Sequence, residues 1–146
     1  MGYTITEVAK QFNLSPHTIR FYDKEGLLPF VSRNKSGNRE FTESDLSLFK
    51  LICCLKNTGM TIKNIKKYIE SVMEGTGTVE QRRTLLKTHR EVIVKQMEEF
   101  QASLTLIDSK IEKYDSPDAV ILINDELRQV SEEKSQYGLT DWAPLS

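Results

Sequence analysis

A repeating pattern of large apolar residues in the second half of the chain restricts its fold more than any other feature. They recur at alternating steps of four and three, and only Arg90 interrupts them. The positions are Leu86, Ile93, Met97, Phe100, Leu104, Ile107, Ile111 and Tyr114. This spacing is typical of a coiled-coil seam. A helix of about 36 residues is roughly 54 Å long, too long to fold back over a small domain, so the sequence predicts a dimerisation helix over residues 78–115.

The alternative is a stripe that packs on a globular core of the same chain, but little chain remains to build that core. The pattern itself is compatible with a parallel or an antiparallel pair. Pro117 predicts the end of the helix, and residues 116–146 form a C-terminal tail. Within the tail, residues 125–134 could add a short helix, and Trp142 could dock onto another part of the protein.

A second constraint is a short segment with helix signals at both ends. Ser15 is a good N-cap, Pro16 suits the first helical position, and Gly26 suits the end. Ile19 and Tyr22 can face a core. A different face carries donors and cations at helical spacing: His17, Arg20 and Lys24.

The flanking residues extend this segment to a winged helix-turn-helix. A short helix capped by Thr6 is predicted before it, with a tight turn at residues 13–14. After it, residues 36–38 have turn chemistry between two short runs that can pair as a hairpin. Three cations there suit a wing lying against phosphates: Arg33, Lys35 and Arg39. The alternative is a plain helical hairpin whose basic face is only solvated.

Two further helices are predicted between the wing and the long helix. Thr42 and Asp45 nearly form a capping box for a helix that continues to Asn57. Thr61 caps the next helix, which continues to about residue 73, and Thr78 is predicted to cap the long helix.

The distribution of charge agrees with a DNA-binding N-terminal half. Residues 1–68 contain 11 Lys and Arg against 6 Asp and Glu, whereas residues 69–146 contain 9 against 15. The phosphate-facing surface is therefore expected in the first half. No run approaches the ~20 apolar residues of a membrane span, and the N-terminus has no apolar signal core, so a cytoplasmic protein without membrane contact is expected.

Several short motifs together resemble the MerR family of bacterial transcription regulators. They are Tyr3-Thr4-Ile5, Glu7-Val8-Ala9, Thr18-Ile19-Arg20-Phe21-Tyr22-Asp23, Gly26-Leu27-Leu28, Arg39-Glu40-Phe41 and Gly59-Met60-Thr61-Ile62. The resemblance covers about the first 75 residues, and the family usually has Tyr where this chain has Phe41.

The resemblance implies an all-α protein with a winged helix-turn-helix DNA-binding domain at 1–75 and an antiparallel coiled-coil dimer. Such a homodimer distorts double-stranded promoter DNA and realigns the −35 and −10 elements for RNA polymerase. Arg20 and Tyr22 would hold the backbone and base edges, and Arg33 and Arg39 would hold phosphates. At the helix start, His17 and Thr18 would read bases.

The two cysteines are adjacent but differ in position on the predicted helix. Cys53 falls on an apolar face, whereas Cys54 falls on the polar side, one turn after Lys50. A nearby cation favours the reactive thiolate. The chain also resembles the thiol-based branch of the family, in which a cysteine precedes the turn found here at residues 56–59. Cys54 is therefore predicted to sense aldehydes, electrophiles or oxidants; the alternative is a small filler residue.

Other effector classes fit less well. No cysteine follows residue 54 to complete a metal site, so no metal or other cofactor is expected. About 31 residues after Asp115 cannot build a separate drug-binding domain. An enzyme is not expected, because neither histidine lies near Cys54 in sequence. Two alternatives are a coiled-coil adaptor without DNA binding and a regulator whose small-molecule effector is not sensed by Cys54.

Overall fold

The structure of the protein, a computed structural model, describes residues 2–143. Its strands are β1 (Tyr3–Thr4), β2 (Ser32–Arg33) and β3 (Arg39–Phe41). Its α-helices are α1 (Ile5–Gln11), α2 (Pro16–Lys24), α3 (Glu43–Asn57), α4 (Ile62–Glu74), α5 (Val79–Asp115) and α6 (Ala119–Gln136). The predicted winged helix-turn-helix followed by a long helix is confirmed.

The wing belongs to a small antiparallel sheet in the order β1-β3-β2. β2 and β3 form the predicted hairpin, with Ser32 opposite Glu40. β1 adds a third strand, with Tyr3 opposite Phe41. β1 is not predictable from the sequence, because two residues are too few to show the alternation that marks a strand.

One apolar core holds α1 to α4 and the sheet together. Phe49 of α3 is fully buried, and its ring meets Phe12 edge-on with 4.9 Å between the centroids. The ring centroids of Phe41 in β3 and Tyr22 in α2 lie 6.2 and 6.4 Å from the centroid of Phe49. The edge-to-face pairs that Phe49 forms with Phe12 and Phe41 add to the stabilisation gained by burial. The core thus fixes α2 and the wing strand on a shared support.

The predicted N-caps of α2, α3 and α4 are confirmed, and the predicted cap of α1 is wrong. Thr4, not Thr6, caps α1: its Oγ1 accepts from the amide of Glu7 at 3.1 Å. The Glu7 carboxylate in turn accepts from the Thr4 amide at 3.0 Å. This reciprocal arrangement needs a Glu three residues after the cap, and only Thr4 has one.

The junction between α4 and α5 also differs from the prediction. Thr78 does not cap α5; its hydroxyl lies 2.5 Å from the carbonyl oxygen of Ser71 and 2.8 Å from that of Gly75. The Arg82 Nη2 group donates to the carbonyls of Ser71, Val72 and Gly75 at 3.2, 3.2 and 2.9 Å. These bonds satisfy carbonyls at the end of α4 that have no partner within the helix.

The chain divides into two compact units, one ending at Val94 and one beginning at Lys95. The first unit extends past the predicted boundary at residue 75, because the start of α5 belongs to it. Leu85 and Leu86 pack against its core, and His89 is buried. Leu86 therefore packs at least partly on the core of its own unit, and its place in the dimer seam stays a prediction.

In the second unit, most of the predicted seam is exposed. Phe100 is 76% exposed and Leu104 51%. Met97, Ile107 and Ile111 are exposed as well.

The predicted tail contains α6, which is longer than the short helix expected at 125–134. It begins at Ala119, directly after the turn at Pro117, and Glu126 forms an ion pair with Lys113 of α5. Trp142 is partly buried. No helix within residues 2–143 has the length and apolar content needed to cross a membrane.

Candidate nucleic-acid interface

The second helix presents the predicted basic face to solvent. The Ser15 side chain accepts from the Thr18 amide at 3.1 Å, and Pro16 occupies the first turn. Ile19 is fully buried, which fixes the rotation of α2 on the core. As a consequence the opposite face is exposed, and it carries His17, Arg20 and Lys24.

Two of the predicted contact residues on α2, Thr18 and Tyr22, are less exposed than the others. Thr18 is half-buried, and its hydroxyl lies 2.9 Å from that of Ser15. Tyr22 is 8% exposed, and burial, followed by the proximity of Cys53, raises the pKa of its hydroxyl. That hydroxyl has no hydrogen-bond partner within residues 2–143, yet it is not a buried unpaired atom. The ring therefore belongs mainly to the core, while the hydroxyl remains open to a contact; its role at the DNA stays a prediction.

An exposed aromatic ring on α2 was missed from the sequence. Phe21 is 46% exposed and lies beside Tyr22, with 6.1 Å between the ring centroids. It follows His17 by four residues, so the helical spacing places it next to the basic face. This spacing is the sequence signal from which the exposure of Phe21 could have been predicted.

The turn of the wing is built from its own side chains. Asn34 Oδ1 accepts from the amides of Ser36 and Asn38 at 3.0 and 3.1 Å. Gly37 has a φ of +80°, a conformation that favours glycine. Arg33 Nη1 donates to the Gly37 carbonyl at 2.7 Å, and Lys35 is exposed at the turn. Arg33 and Lys35 therefore remain available cations on the wing.

Arg39 differs from its prediction as a phosphate ligand. Its Nε and Nη2 groups donate to the carboxylate of Asp23 at 3.0 and 2.8 Å. Its Nη1 group donates to the carbonyl of Val31 at 2.7 Å. A guanidinium that is engaged on three sides, with a side chain only 24% exposed, joins the wing to α2 rather than offering a free positive charge.

The structure brings α2 and the wing to one concave surface. Arg20, Arg33 and Arg39 line a shared cavity of about 410 Å³, together with Asn34 and Asn38. Because Asp23 is paired with Arg39, the two unpaired cations there are Arg20 and Arg33, as far as residues 2–143 show. This surface can bind an anion such as a backbone phosphate.

The two cysteines occupy the environments predicted for them. Cys54 is exposed and Cys53 is half-buried. Burial raises the pKa of the Cys53 thiol to about 11. A thiol with that pKa is almost entirely protonated near neutral pH, so Cys53 is a poor nucleophile.

A contact near Cys54 was not expected from the sequence. The Thr58 hydroxyl donates to the Cys54 carbonyl at 2.7 Å, and it lies 2.7 Å from Nε2 of His89 on α5. Which of the two atoms donates depends on the tautomer of the His89 ring. His89 thus links the end of α3 to α5, across 31 residues of sequence.

No cluster of three or more potential metal ligands is found among residues 2–143.

Comparison with known proteins identifies the family. Residues 3–72 match the MerR HTH family of regulatory proteins, and residues 46–110 match the MerR DNA-binding family. An uncharacterized HTH-type transcriptional regulator of Haemophilus influenzae is 41% identical over 120 residues, which cover 82% of this chain and 89% of that protein. The chain belongs to the MerR family.

This MerR-family protein is therefore a DNA-binding transcriptional regulator, and its relatives are regulators rather than enzymes. It is similar to HiNmlR, a MerR family regulator lacking the sensor domain, whose crystal structure contains promoter DNA. The identity is 41% and the TM-score 0.73, over 82% of this chain and 94% of that one. A MerR family regulator from Bacillus thuringiensis is similar as well, with 43% identity and a TM-score of 0.72, over 78% of this chain and 100% of that one.

Proposed function

We propose that the protein is a homodimeric regulator that binds a palindromic promoter site through α2 and the wing of each protomer. The observation that carries the proposal is the placement of Arg20 and Arg33 on one concave surface beside the exposed face of α2. The shared apolar core joins α2 and the wing, so both can contact the same stretch of DNA. The similarity to a regulator whose structure contains promoter DNA supports the proposal.

The contacts divide by their position on the surface. His17 and Thr18 lie at the start of α2, the end that enters the major groove in helix-turn-helix proteins. Arg20 and Lys24 continue the same side of the helix, and the Tyr22 hydroxyl can donate to a phosphate. Arg33 and Lys35 of the wing hold phosphates, which fix the orientation of the protein without reading sequence.

Dimerisation through α5 is supported by the exposed apolar stripe in the second unit. Exposed apolar residues that repeat at coiled-coil spacing on one helix favour a partner helix of the same kind. The family resemblance implies an antiparallel pair. A dimer of this kind sets the separation of two half-sites, and the DNA between them is bent and untwisted to satisfy it. RNA polymerase then gains access indirectly, through the altered promoter.

Control of this dimer is proposed to act through Cys54. The thiol is exposed on α3, and Lys50 precedes it by one turn. Its thiolate adds to the carbonyl carbon of an aldehyde, while the former carbonyl oxygen takes up a proton. An adduct there lies beside the end of α3, whose last carbonyls are bound to Thr58 and through it to His89. A change of packing at this point would be transmitted to α5 through the contact between Thr58 and His89.

Footprinting on the promoter region of the protein's own gene tests the proposal. We expect one protected palindromic region with altered cleavage in its centre, and a changed pattern after treatment with formaldehyde. Arg20→Ala should weaken protection, whereas Lys110→Ala, a control that also removes an exposed cation but lies outside the first unit, should not. Equal protection of unrelated DNA would contradict sequence-specific binding. An unchanged footprint after formaldehyde, with binding intact, would reject only the role of Cys54.

A further inference from the structure

A second cavity lies within the first unit, away from α2 and the wing. It has a volume of about 680 Å³ and lies between the turn at Gly59, helix α4 and the first turns of α5. Cavities of roughly 300–1,000 Å³ are the usual size of small-molecule sites in proteins. Its walls come from two stretches of the chain, residues 59–67 and 80–92, so a ligand bound there would contact the turn, α4 and α5 at once.

The walls combine apolar surface with a few polar groups, which is the composition of a ligand site. Leu85 and Val92 of α5 and Met60 of the turn contribute apolar surface. Asn64 and Gln81 contribute amides that can donate hydrogen bonds. Val92 is 46% exposed, so an apolar group in the cavity would cover surface that now faces solvent.

The charged groups of the cavity are not balanced. Lys67 lines it and has no acidic partner within residues 2–143. Glu80 lines it too, but its carboxylate forms an ion pair with Arg83, one turn along α5. The unpaired charge that the walls offer is therefore positive, which complements an anion.

His89 gives the cavity a fixed polar wall. It is 8% exposed, and its Nε2 group is held by the Thr58 hydroxyl at 2.7 Å. The ring therefore cannot turn without losing that bond. A side chain held in this way is preorganised, which lowers the entropy that binding would cost.

We propose that this cavity is a binding site for a small organic anion, a carboxylate attached to an apolar body. The carboxylate binds Lys67 and the amides of Asn64 and Gln81, and the apolar body covers Leu85 and Val92. Cys54 does not line the cavity, so the site is independent of thiol chemistry. Since it spans α4, α5 and the turn between α3 and α4, an occupant would restrain the start of α5 relative to the core.

Calorimetry on the full-length protein tests the site with two probes of nearly equal shape, 2-naphthoate and its neutral analogue 2-naphthamide. We expect naphthoate to bind, and naphthamide to bind at least about fivefold more weakly, since it lacks the charge that pairs with Lys67. Lys67→Met keeps the stem and removes the ammonium, so it should lower naphthoate affinity by a similar factor and leave naphthamide unchanged.

Lys66→Met is the matched control, because Lys66 neighbours Lys67 on α4 but lies beside Gly26 instead of lining the cavity. It should bind naphthoate like wild type. Equal affinity for the two probes, or equal loss in both variants, would overturn the proposal. A wild-type protein that binds neither probe would overturn it too. If Val92→Glu then converts a dimer to monomer in sedimentation, the occupant of the cavity is a second copy of the chain.

Discussion

Arg39 of β3 and Asp23 of α2 form a two-point ion pair, with Nε to Oδ2 at 3.0 Å and Nη2 to Oδ1 at 2.8 Å. The planar guanidinium fits the carboxylate in one orientation only, so the pair fixes an angle as well as a distance. The third contact, to the Val31 carbonyl, ties the preceding loop to the same group. Arg39 thereby adds a polar link of fixed geometry between the wing and α2, beside the apolar core that supports both.

The first prediction concerns this pair. Arg39→Ala should lower the free energy of unfolding by roughly 1.5–3 kcal/mol, because it removes charge-assisted hydrogen bonds from a partly buried site. It should also weaken DNA binding with little change in the salt dependence, since the guanidinium is engaged by Asp23 and the Val31 carbonyl. Urea denaturation of Arg39→Ala, Asp23→Ala and the double variant checks the coupling. Strictly additive losses would show that the two residues act separately.

A second prediction concerns Arg20. Arg20→Ala should weaken binding to the operator by about 1–3 kcal/mol, as expected for a lost charge-assisted contact. The fold should be unaffected, because the side chain is exposed. Titration against operator and unrelated DNA at two salt concentrations measures both affinity and preference. Wild-type affinity in this variant, with Lys110→Ala as the reference, would place the DNA contact elsewhere.

A third prediction concerns assembly. Phe100→Asp combined with Leu104→Asp should convert a dimer to monomers, because each large apolar side chain contributes roughly 1.5–3 kcal/mol when it is fully buried. Leu86→Ala should instead lower the stability of the fold and leave the dimer intact, since Leu86 packs on the core of its own unit. Analytical ultracentrifugation at micromolar concentration, together with thermal unfolding, separates the two effects. A monomeric wild type would refute the assignment of the stripe.

A fourth prediction concerns the thiols and their dependence on pH. The thiolate fraction of Cys53 should be about one in ten thousand at pH 7, given a pKa of about 11, and should rise tenfold per pH unit below that value. Alkylation near neutral pH, followed by mass spectrometry, should therefore label Cys54 first, with Cys53 catching up only in strong alkali. Equal labelling of the two at pH 7 would contradict the burial of Cys53.

Variants of the two cysteines extend this test to function. Cys54→Ser should keep the fold and DNA binding and lose the response to an aldehyde in a reporter strain. Cys53→Ser should lower stability, because it places a hydroxyl on a half-buried apolar face. Full induction of the Cys54→Ser strain would assign the signal to another site, and the cavity beside His89 would be the first one to examine.

Much of the DNA-binding unit was predictable because its signals are local. The caps at Ser15, Thr42 and Thr61 depend on a side chain and an amide three residues away. The exposed face of α2 followed from helical spacing in the same way. Such features need no knowledge of the rest of the fold.

The features that were missed depend on contacts between distant residues. Arg39 meets Asp23 across 16 residues, and a lone arginine on a wing resembles a phosphate ligand until that partner is seen. Leu86 illustrates a second limit: the apolar repeat of a helix is the same whether it faces its own core or another chain. The length of α5 was predictable, but the point at which it leaves the core was not.

Arg82 couples the end of α4 to the beginning of α5. Most helices fray first at their ends, since the last carbonyls have no partner within the helix and bind water instead. Here those of Ser71, Val72 and Gly75 are held by a guanidinium that sits in the first turns of α5. The end of one helix can then open only if the beginning of the next one shifts. Amide hydrogens on both sides of Gly75 should exchange with solvent at matching rates, as parts of one cooperative block.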